Sequence, residues 1–280
     1  MASFAIHDDS LRERYHGGGE ELGNARLLLE RYYPLLTEVF PIAGEIETIA
    51  SYDEYLRDPA MAWDIVVLSN AADGRIVGGI HWQALRDLGT GWVDAVAWVE
   101  HVWLINDPAV RRYDRFRDLL SAVRNHMRRA HVDVGFMEFN DPEKMSPEDM
   151  ARDAAGGLST RDRLRLWAHV GLCELVHRTA DGQPVPAPYA QPAMDHGPPV
   201  RMLSLGFFAF ARNLADTRIL ATDYLQILYR AHATIRGVDP ASDPTCLEYT
   251  AAVRALGATA FEFAPLKYRL FATDRPATRR

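Results

Sequence analysis

Apolar residues recur along this chain with periods of about 3.6 or 2 residues, which predicts a mixture of helices and strands. Helical spacing predicts helices over residues 21–38, 52–58, 109–130, 160–170, 217–236 and 244–256. Alternating or continuous apolar runs predict strands over residues 44–50, 63–69, 75–85, 92–105, 133–139, 172–177 and 200–208. Three successive strands followed by alternating helices and strands indicate a mixed α/β (α+β) sheet with helices on both faces.

Turn residues and helix stripes support this order of elements. Asp73-Gly74 is a strong hairpin signal between the second and third predicted strands. Gly171 is the predicted C-cap of helix 160–170. Six prolines within 181–199 predict an extended connection rather than a regular element. The predicted buried stripe of helix 109–130 consists of Val110, Phe116, Leu119, Leu120 and Val123.

The same patterns predict three segments of different character. Residues 1–20 are expected to form a flexible leader, because this polar stretch contains the run Gly17–Gly19. Residues 21–208 are expected to form one catalytic-type domain, and residues 209–280 a helical C-terminal extension. The amphipathic helix 217–236 leaves three roles open for this extension: it caps the sheet, closes over a substrate site, or forms a homodimer contact.

Composition narrows the class of protein. The chain has 280 residues, of which 48% are hydrophobic and 25% charged, and this apolar content excludes disorder as the main state. No apolar run approaches the roughly 18 residues that span a bilayer, and the first residues lack the pattern of a secretory signal. Only Cys173 and Cys246 are present, which excludes a disulfide scaffold and favours a reducing, cytoplasmic location. The preference for Arg over Lys is typical of a GC-rich genome and needs no functional cause. A bacterial source is also expected.

Charge is unevenly distributed. The net charge of −7 argues against a nucleic-acid binder. Residues 111–130 nevertheless carry seven arginines against Asp114 and Asp118, a local charge of +5 that leaves −12 for the other 260 residues. This basic segment predicts an anionic ligand at the start of helix 109–130, because a helix N-terminus with Arg side chains binds phosphate groups. The alternative is a solvated basic helix face.

The candidate chemistry lies just before that helix. Glu100 stands in the middle of the long apolar strand 92–105, which runs through a short turn into the arginine-rich helix. A carboxylate on an apolar strand is expected to have a raised pKa, which suits a general base. The alternative for Glu100 is a structural carboxylate paired with an Arg.

At these residues the chain resembles the GNAT superfamily of acyl-CoA-dependent N-acetyltransferases. Arg111–Phe116 occupies the place of the family's pyrophosphate loop, and Glu100 precedes Arg111 by eleven residues, as the catalytic strand glutamate does in several members. Asn140 resembles the Asn that is frequent at the end of the family's fifth strand. Ile76–Ile80 resembles the Ile-Val-Gly pattern of its third strand, and Leu166–Leu172 resembles its later Phe-Tyr-x-x-x-Gly-Phe segment. The resemblance covers roughly residues 21–208 and implies a mixed, mostly antiparallel sheet.

The resemblance also implies roles for individual residues. The resemblance implies that the chain is an N-acyltransferase, which moves an acyl group from acyl-CoA as co-substrate to a small-molecule amine. The acyl group is expected to be acetyl, and Glu100 is the expected general base. His101 is the second candidate base and is expected on the opposite strand face. Backbone groups of Leu104 and Asn106 are expected to bind the pantetheine arm. The other expected donor-binding residues are Arg111, Arg112, Tyr113, Asp114, Arg115, Phe116, Arg117 and Asn140.

The chain departs from the family pattern at three positions. Asp114 and Phe116 replace the loop glycines, and Trp167 stands where the family often has a Tyr that protonates the leaving thiolate. Two alternatives therefore stay open. The donor acyl group is carried on an acyl carrier protein, whose acidic surface would meet the arginines, or the chain is a non-catalytic binding module of the same fold.

A metal site and a nucleophilic cysteine are not expected. The scattered His81, His101, His126 and His131 show no recognisable metal-ligand spacing. Cys173 follows a helix cap within an apolar stretch and is expected in the core. Nucleic-acid and membrane partners are not expected either.

Overall fold

The structure is a computed structural model that describes residues 6–40, 46–105, 107, 110, 113–154, 158–193, 199–209, 214 and 217–272, with the backbone alone for 113–115, 271 and 272. The strands are β1 (Ile6–Ser10), β2 (Trp63–Asn70), β3 (Ile76–Arg86), β4 (Ala95–Leu104), β5 (Val134–Asn140), β6 (Cys173–Arg178), β7 (Pro184–Pro186), β8 (Leu203–Ala209), β9 (Arg218–Leu220) and β10 (Ala260–Pro265). The helices are α1 (Leu11–Gly17), α2 (Gly19–Val39), α3 (Ile49–Arg57), α4 (Tyr113–Arg129), α5 (Pro147–Ala154), α6 (Thr160–His169), α7 (Ala221–Arg236), α8 (Pro244–Ala255) and α9 (Lys267–Ala272).

The chain divides into two compact units. Unit 1 consists of Met1–Ala84 and Ala97–Val132, and unit 2 of Leu85–Val96 and Asp133–Arg280. The predicted boundary between residues 208 and 209 is not a limit of either unit. Among the described residues, no helix combines the length and the apolarity needed to cross a membrane.

Unit 1 is built on the sheet order β1-β2-β3-β4. β1 pairs antiparallel with β2, and β2 pairs antiparallel with β3. The predicted hairpin between β2 and β3 is confirmed, with Gly74 in the left-handed region at φ 68°. Aromatic and aliphatic side chains from α1, α2, α3, β2, β3 and β4 form its core: Leu11, Tyr15, Ala25, Leu29, Tyr32, Leu36, Tyr52, Leu56, Trp63, Ile65, Val67, Ile76 and Trp103.

The expected flexible leader is wrong for residues 6–17, which form β1 and α1. Ser10 ends the strand and caps the helix, because its hydroxyl accepts from the Glu13 backbone N–H at 3.0 Å. The same hydroxyl donates to Asp64 at 2.8 Å. Leu11 and Tyr15 are buried, so apolar packing fixes a segment whose polar composition suggested a leader.

The strand predicted over residues 44–50 is also wrong where the structure describes it. Residues 46–48 are irregular, and α3 begins at Ile49. The Thr48 hydroxyl accepts from the Ser51 backbone N–H at 3.1 Å and so caps the helix. The short helix predicted at 52–58 is confirmed with an earlier start.

The buried stripe of α4 is confirmed. Phe116, Leu119, Leu120 and Val123 are buried on one side of α4, as the helical spacing predicts. Val110 is buried too, but it lies in a turn before α4 begins at Tyr113. The described arginines of this helix are on its exposed side: Arg117, Arg124, Arg128 and Arg129.

Unit 2 contains the strand order β5-β8-β6-β10-β9, with β7 paired to β6. The pairs β5/β8, β8/β6, β6/β10, β10/β9 and β6/β7 are antiparallel. β7 lies in the proline-rich segment that was expected to be irregular, and its prolines suit a short strand with a single partner in this sheet. The chain therefore has the expected mixed α/β fold with a mostly antiparallel sheet.

The expected helical C-terminal extension is wrong in part. α7 and α8 are present, but β9 precedes α7, and β10 follows α8 and pairs with both β6 and β9. Phe261 and Phe263 are buried and flank Glu262, so β10 has the alternating pattern of a strand. The sequence did not predict β10, because six residues contain too few alternations to indicate a strand in a segment that also contains two amphipathic helices.

Candidate functional site

Glu100 occupies the middle of β4 in unit 1, as the sequence predicts. Residues 95–99 of the strand are buried, whereas Glu100 is half-buried, as are His101 and Val102 after it. The indole Nε1 of Trp63, on β2, donates to Glu100 Oε2 at 3.1 Å. A buried indole with two rotatable bonds is a rigid donor, so the carboxylate is held in one orientation.

A chain of buried polar groups lies at β3 in the same unit. His81 is fully buried, and its Nε2 is 2.9 Å from the hydroxyl oxygen of Tyr32. Trp103 Nε1 donates to that same oxygen at 2.7 Å. His81 Nδ1 has no hydrogen-bond partner within the described part of the chain. A buried polar atom without a partner is costly, and it therefore calls for an explanation.

Gly79 makes room for this arrangement. A Cβ at Gly79 would lie 2.8 Å from Tyr32 Cζ and would overlap the ring. The Ile76–Ile80 segment therefore carries a glycine where the α2 tyrosine must approach the sheet.

His101 was expected on the strand face opposite Glu100, and this expectation is wrong. The rings of His101 and His81 lie with centroids 5.1 Å apart. One ligand atom from each of His81, Glu100 and His101 lies within 4.8 Å of the other two. Strict alternation along β4 is therefore broken between Glu100 and His101. These three side chains, here called the His–Glu cluster, lie close together although the histidines show no metal-ligand spacing along the sequence.

Aromatic rings surround the His–Glu cluster. Tyr52 stacks on Trp63 with centroids 5.2 Å apart, and its edge faces His81 at 5.1 Å. Phe40 contacts the ring of His101 at 4.9 Å. The walls of the cluster are therefore apolar, and polar atoms are concentrated at its centre.

Burial controls the protonation of His81 and of the two tyrosines beside it. Burial, together with the nearby His101, lowers the pKa of His81 well below its ordinary value, so His81 is neutral at pH 7. Burial likewise raises the pKa of Tyr32 and of Tyr52, so both phenols stay protonated.

Most of the predicted donor-binding residues cannot be placed. Asn106, Arg111 and Arg112 lie outside the described residues, and so do the side chains of Tyr113, Asp114 and Arg115. Of the remainder in unit 1, Leu104 is half-buried at the end of β4, Phe116 is buried in the α4 stripe, and Arg117 is exposed. Their predicted contacts with an acyl donor stay predictions.

Asn140 lies in unit 2 at the end of β5. Its side-chain Nδ2 donates to Asp153 Oδ1 at 2.8 Å, which links β5 to α5. Asp153 also accepts from the Thr160 hydroxyl and pairs with Arg163. This contact gives Asn140 a structural role beside the predicted one.

Two other sequence candidates, Trp167 and Cys173, lie in unit 2. Trp167 is buried with its ring against Phe208. Cys173 is half-buried, and burial raises the pKa of its thiol, which disfavours a thiolate nucleophile.

Sequence reasoning missed four residues that build the site: Tyr32, Trp63, His81 and Trp103. One signal was available, because His81 follows the apolar run Ile76–Ile80 within a predicted strand. In the sequence, Tyr32, Trp63 and Trp103 are indistinguishable from ordinary core residues.

A separate cavity of about 340 Å³ in unit 1 contains none of the predicted site residues and is lined by Asp9, Arg14, Asn24, Leu27, Leu28, Arg31, Val67, Ser69, Gly74 and Ile76.

No family model matches the chain, and no curated protein does. Among solved structures, an aminoglycoside 6'-acetyltransferase type Ii is 10% identical, with a TM-score of 0.44 over 75% of this chain and 99% of that one. The aminoglycoside 6'-N-acetyltransferase from Enterococcus faecium is 10% identical, with a TM-score of 0.44 over 75% and 98% of the two chains. An aminoglycoside 6'-N-acetyltransferase complexed with coenzyme A is 13% identical, with a TM-score of 0.41 over 67% and 93%. TM-scores this low carry no argument about what the present chain binds or catalyses.

Proposed function

We propose that the chain is an acyltransferase that moves an acyl group from an acyl-CoA thioester to the amine of a small molecule, with Glu100 as general base. The observation that carries this proposal is the half-buried Glu100 carboxylate, held by the Trp63 indole inside an aromatic surround. The sequence resemblance described above supports the donor and the reaction type.

The aromatic surround fits a cationic acceptor. An amine substrate arrives mainly as an ammonium ion at pH 7, and such ions bind over the faces of Trp and Tyr rings. Trp63 and Tyr55 meet edge to face with centroids 5.5 Å apart, beside the carboxylate that Trp63 orients. Glu100 adds the negative charge that would draw the ammonium group toward the base.

The proposed reaction balances as follows. The ammonium group of the acceptor gives one proton to the Glu100 carboxylate, and the free amine attacks the thioester carbonyl carbon. A C–N bond forms and the C–S bond breaks, and the leaving thiolate takes the second nitrogen proton to become the thiol of coenzyme A. Glu100 then releases its proton to solvent, so no covalent enzyme intermediate is needed.

The test is release of free thiol from acetyl-CoA in the presence of a panel of primary amines. Glu100→Gln keeps the shape of the side chain but removes the base, so we expect the turnover rate to fall by about 10²–10⁴-fold. Glu54→Gln, on the exposed side of α3, is the matched control and is expected to keep full activity. Equal, measurable rates for Glu100→Gln and the unaltered chain would overturn the role of Glu100, whereas absence of thiol release from either chain with every amine would favour a binding module.

The donor is tested separately by thermal unfolding with coenzyme A and acetyl-CoA at millimolar concentration. A ligand that binds only the folded chain raises the unfolding temperature. No rise, together with acyl transfer from an acyl-carrier-protein thioester, would overturn coenzyme A as the donor and leave the reaction type intact.

A further inference from the structure

The His–Glu cluster combines features that general-base catalysis does not require. A single carboxylate serves as a base, but here two imidazoles converge on it, and one ligand atom from each side chain lies within 4.8 Å of the others. Donor atoms bound to one tetrahedral ion at about 2.1 Å are about 3.4 Å apart. Small side-chain movements would therefore bring all three onto a common ion.

We infer that His81, Glu100 and His101 form a binding site for a divalent transition-metal ion, with Zn²⁺ as the best match. Two imidazoles and one carboxylate are ligands that Zn²⁺ prefers, and three protein ligands leave a coordination position open. Imidazole nitrogens do not suit Mg²⁺ or Ca²⁺, which select oxygen ligands. The inference does not depend on the proposed acyl transfer.

His81 provides the second, independent observation. Its Nδ1 is buried and without a hydrogen-bond partner in the described part of the chain, whereas Nε2 lies 2.9 Å from Tyr32. A metal ion at Nδ1 would satisfy this atom. The tautomer required for that bond carries its proton on Nε2, for which the Tyr32 oxygen is the nearby acceptor.

The groups around the ligands have the character of an outer coordination shell. Metal-binding side chains are usually held by a further hydrogen bond that fixes their orientation. Tyr32 holds His81 and is itself held by Trp103 at 2.7 Å, while Trp63 holds Glu100 at 3.1 Å. The rings around the cluster limit the access of water, which strengthens metal–ligand interactions.

A bound ion would occupy the Glu100 carboxylate, which the proposed acyl transfer needs as its general base. The metal-loaded chain and a chain active through Glu100 are therefore exclusive states, and Zn²⁺ at this site would act as an inhibitor of the proposed transfer. Binding can nevertheless be measured with no thioester or amine present, so failure of one proposal leaves the other untouched.

The test is titration of the full-length, tag-free chain with Co²⁺ and Zn²⁺ after removal of metals by a chelator. Co²⁺ bound by nitrogen and oxygen ligands in a low-coordinate site gives a visible absorption band, and calorimetry with Zn²⁺ gives the stoichiometry. We expect one ion per chain and displacement of Co²⁺ by Zn²⁺ with loss of the band.

Three variants complete the test, each checked for folding by circular dichroism. Glu100→Gln removes a ligand without changing the side-chain shape and is expected to weaken binding by about 100-fold or more. Tyr32→Phe removes the partner of His81 and is expected to weaken binding about 10–100-fold. His7→Ala, on the exposed side of β1, is the control and should bind as the unaltered chain does. Absence of saturable binding of one ion per chain, or equal affinity of Glu100→Gln and the unaltered chain, overturns the inference.

Discussion

Two clusters of titratable side chains, one beside the strands of each unit, differ in how completely they are hydrogen-bonded. In unit 2, the Arg269 guanidinium contacts Asp141 at 2.8 Å and Glu174 at 2.9 Å. Ser204 also donates to Asp141, and Tyr268 also donates to Glu174. These residues are here called the arginine network.

The His–Glu cluster of unit 1 is built differently. It places two histidines and a carboxylate together, and it leaves His81 Nδ1 without a partner among the described residues. A fully paired buried network fixes structure, whereas an incompletely paired one keeps capacity for a ligand or a proton. The comparison therefore supports a stabilising role for the arginine network and the functional role proposed for the His–Glu cluster.

The protonation states of the buried groups also differ between the arginine network and the His–Glu cluster. Burial lowers the pKa of Arg269, but Glu174 and Asp141 outweigh this effect and raise it, so the guanidinium stays charged at any ordinary pH. Burial would raise the pKa of Asp141, but Arg269 and the Ser204 hydroxyl outweigh it and lower it. Burial instead keeps His81 neutral near pH 7 by lowering its pKa.

The largest expected effect comes from breaking the arginine network. Arg269→Met leaves two buried carboxylates without their cation, and we expect a loss of about 3–5 kcal/mol in the free energy of unfolding. Denaturant unfolding at pH 7 measures it. Arg230→Met, on the exposed side of α7, is the control and should change stability by no more than about 0.5 kcal/mol. Equal stabilities of the two variants would mean that the network contributes nothing.

A second histidine sharpens the comparison. His232 in unit 2 is buried like His81, but both of its ring nitrogens have partners, with Tyr249 at 3.3 Å and Tyr189 at 3.5 Å. Burial, with Arg236 nearby, lowers the pKa of His232 to about 3. The unfolded chain therefore binds one more proton than the folded chain between pH 3 and about 6.5.

Stability should accordingly fall as the pH drops below about 6.5, by up to about 1.4 kcal/mol per pH unit from His232. Above that pH the contribution is fully present. Unfolding free energies measured between pH 7 and 4.5 check this slope, and His232→Gln should reduce it by up to one proton. An unaltered slope in the variant would show that His232 is protonated in the folded state.

Two sheet glycines offer a matched pair of smaller changes. A Cβ at Gly79 would overlap Tyr32, and a Cβ at Gly206 would overlap Leu172. Gly79→Ala and Gly206→Ala should each cost about 1–3 kcal/mol through overpacking. Only Gly79→Ala should also weaken Co²⁺ binding, because it displaces the tyrosine that holds His81. Loss of Co²⁺ binding in Gly206→Ala as well would show that general destabilisation causes both effects.

Asn140 gives the smallest expected effect. Asn140→Ala removes the hydrogen bond to Asp153, and we expect a loss of about 1 kcal/mol in unfolding free energy. If the contact with Asp153 is its main role, the Michaelis constant for the acyl donor stays unchanged. A raised constant for the donor with unchanged stability would instead assign Asn140 to donor binding.

Local patterns predicted much of this fold because they report which face of an element is buried. The helical spacing of Phe116, Leu119 and Val123 identified the buried side of α4, and Asp73-Gly74 identified a hairpin. Local patterns failed for β1, α1 and β10, which are short. Elements of five to seven residues contain too few repeats of a period to distinguish a strand or helix from a connection.

The sequence by itself determined the order of the main elements, the fold class, and the position of Glu100 in the middle of β4. Only the tertiary structure decided what surrounds that carboxylate. Eighteen residues lie between His81 and Glu100, and Tyr32 and Trp63 lie on other elements, so no spacing along the chain reveals their contact. The break in alternation that turns His101 toward His81 is likewise invisible in the sequence. Side-chain convergence depends on packing between elements distant along the chain, and such packing has no local period.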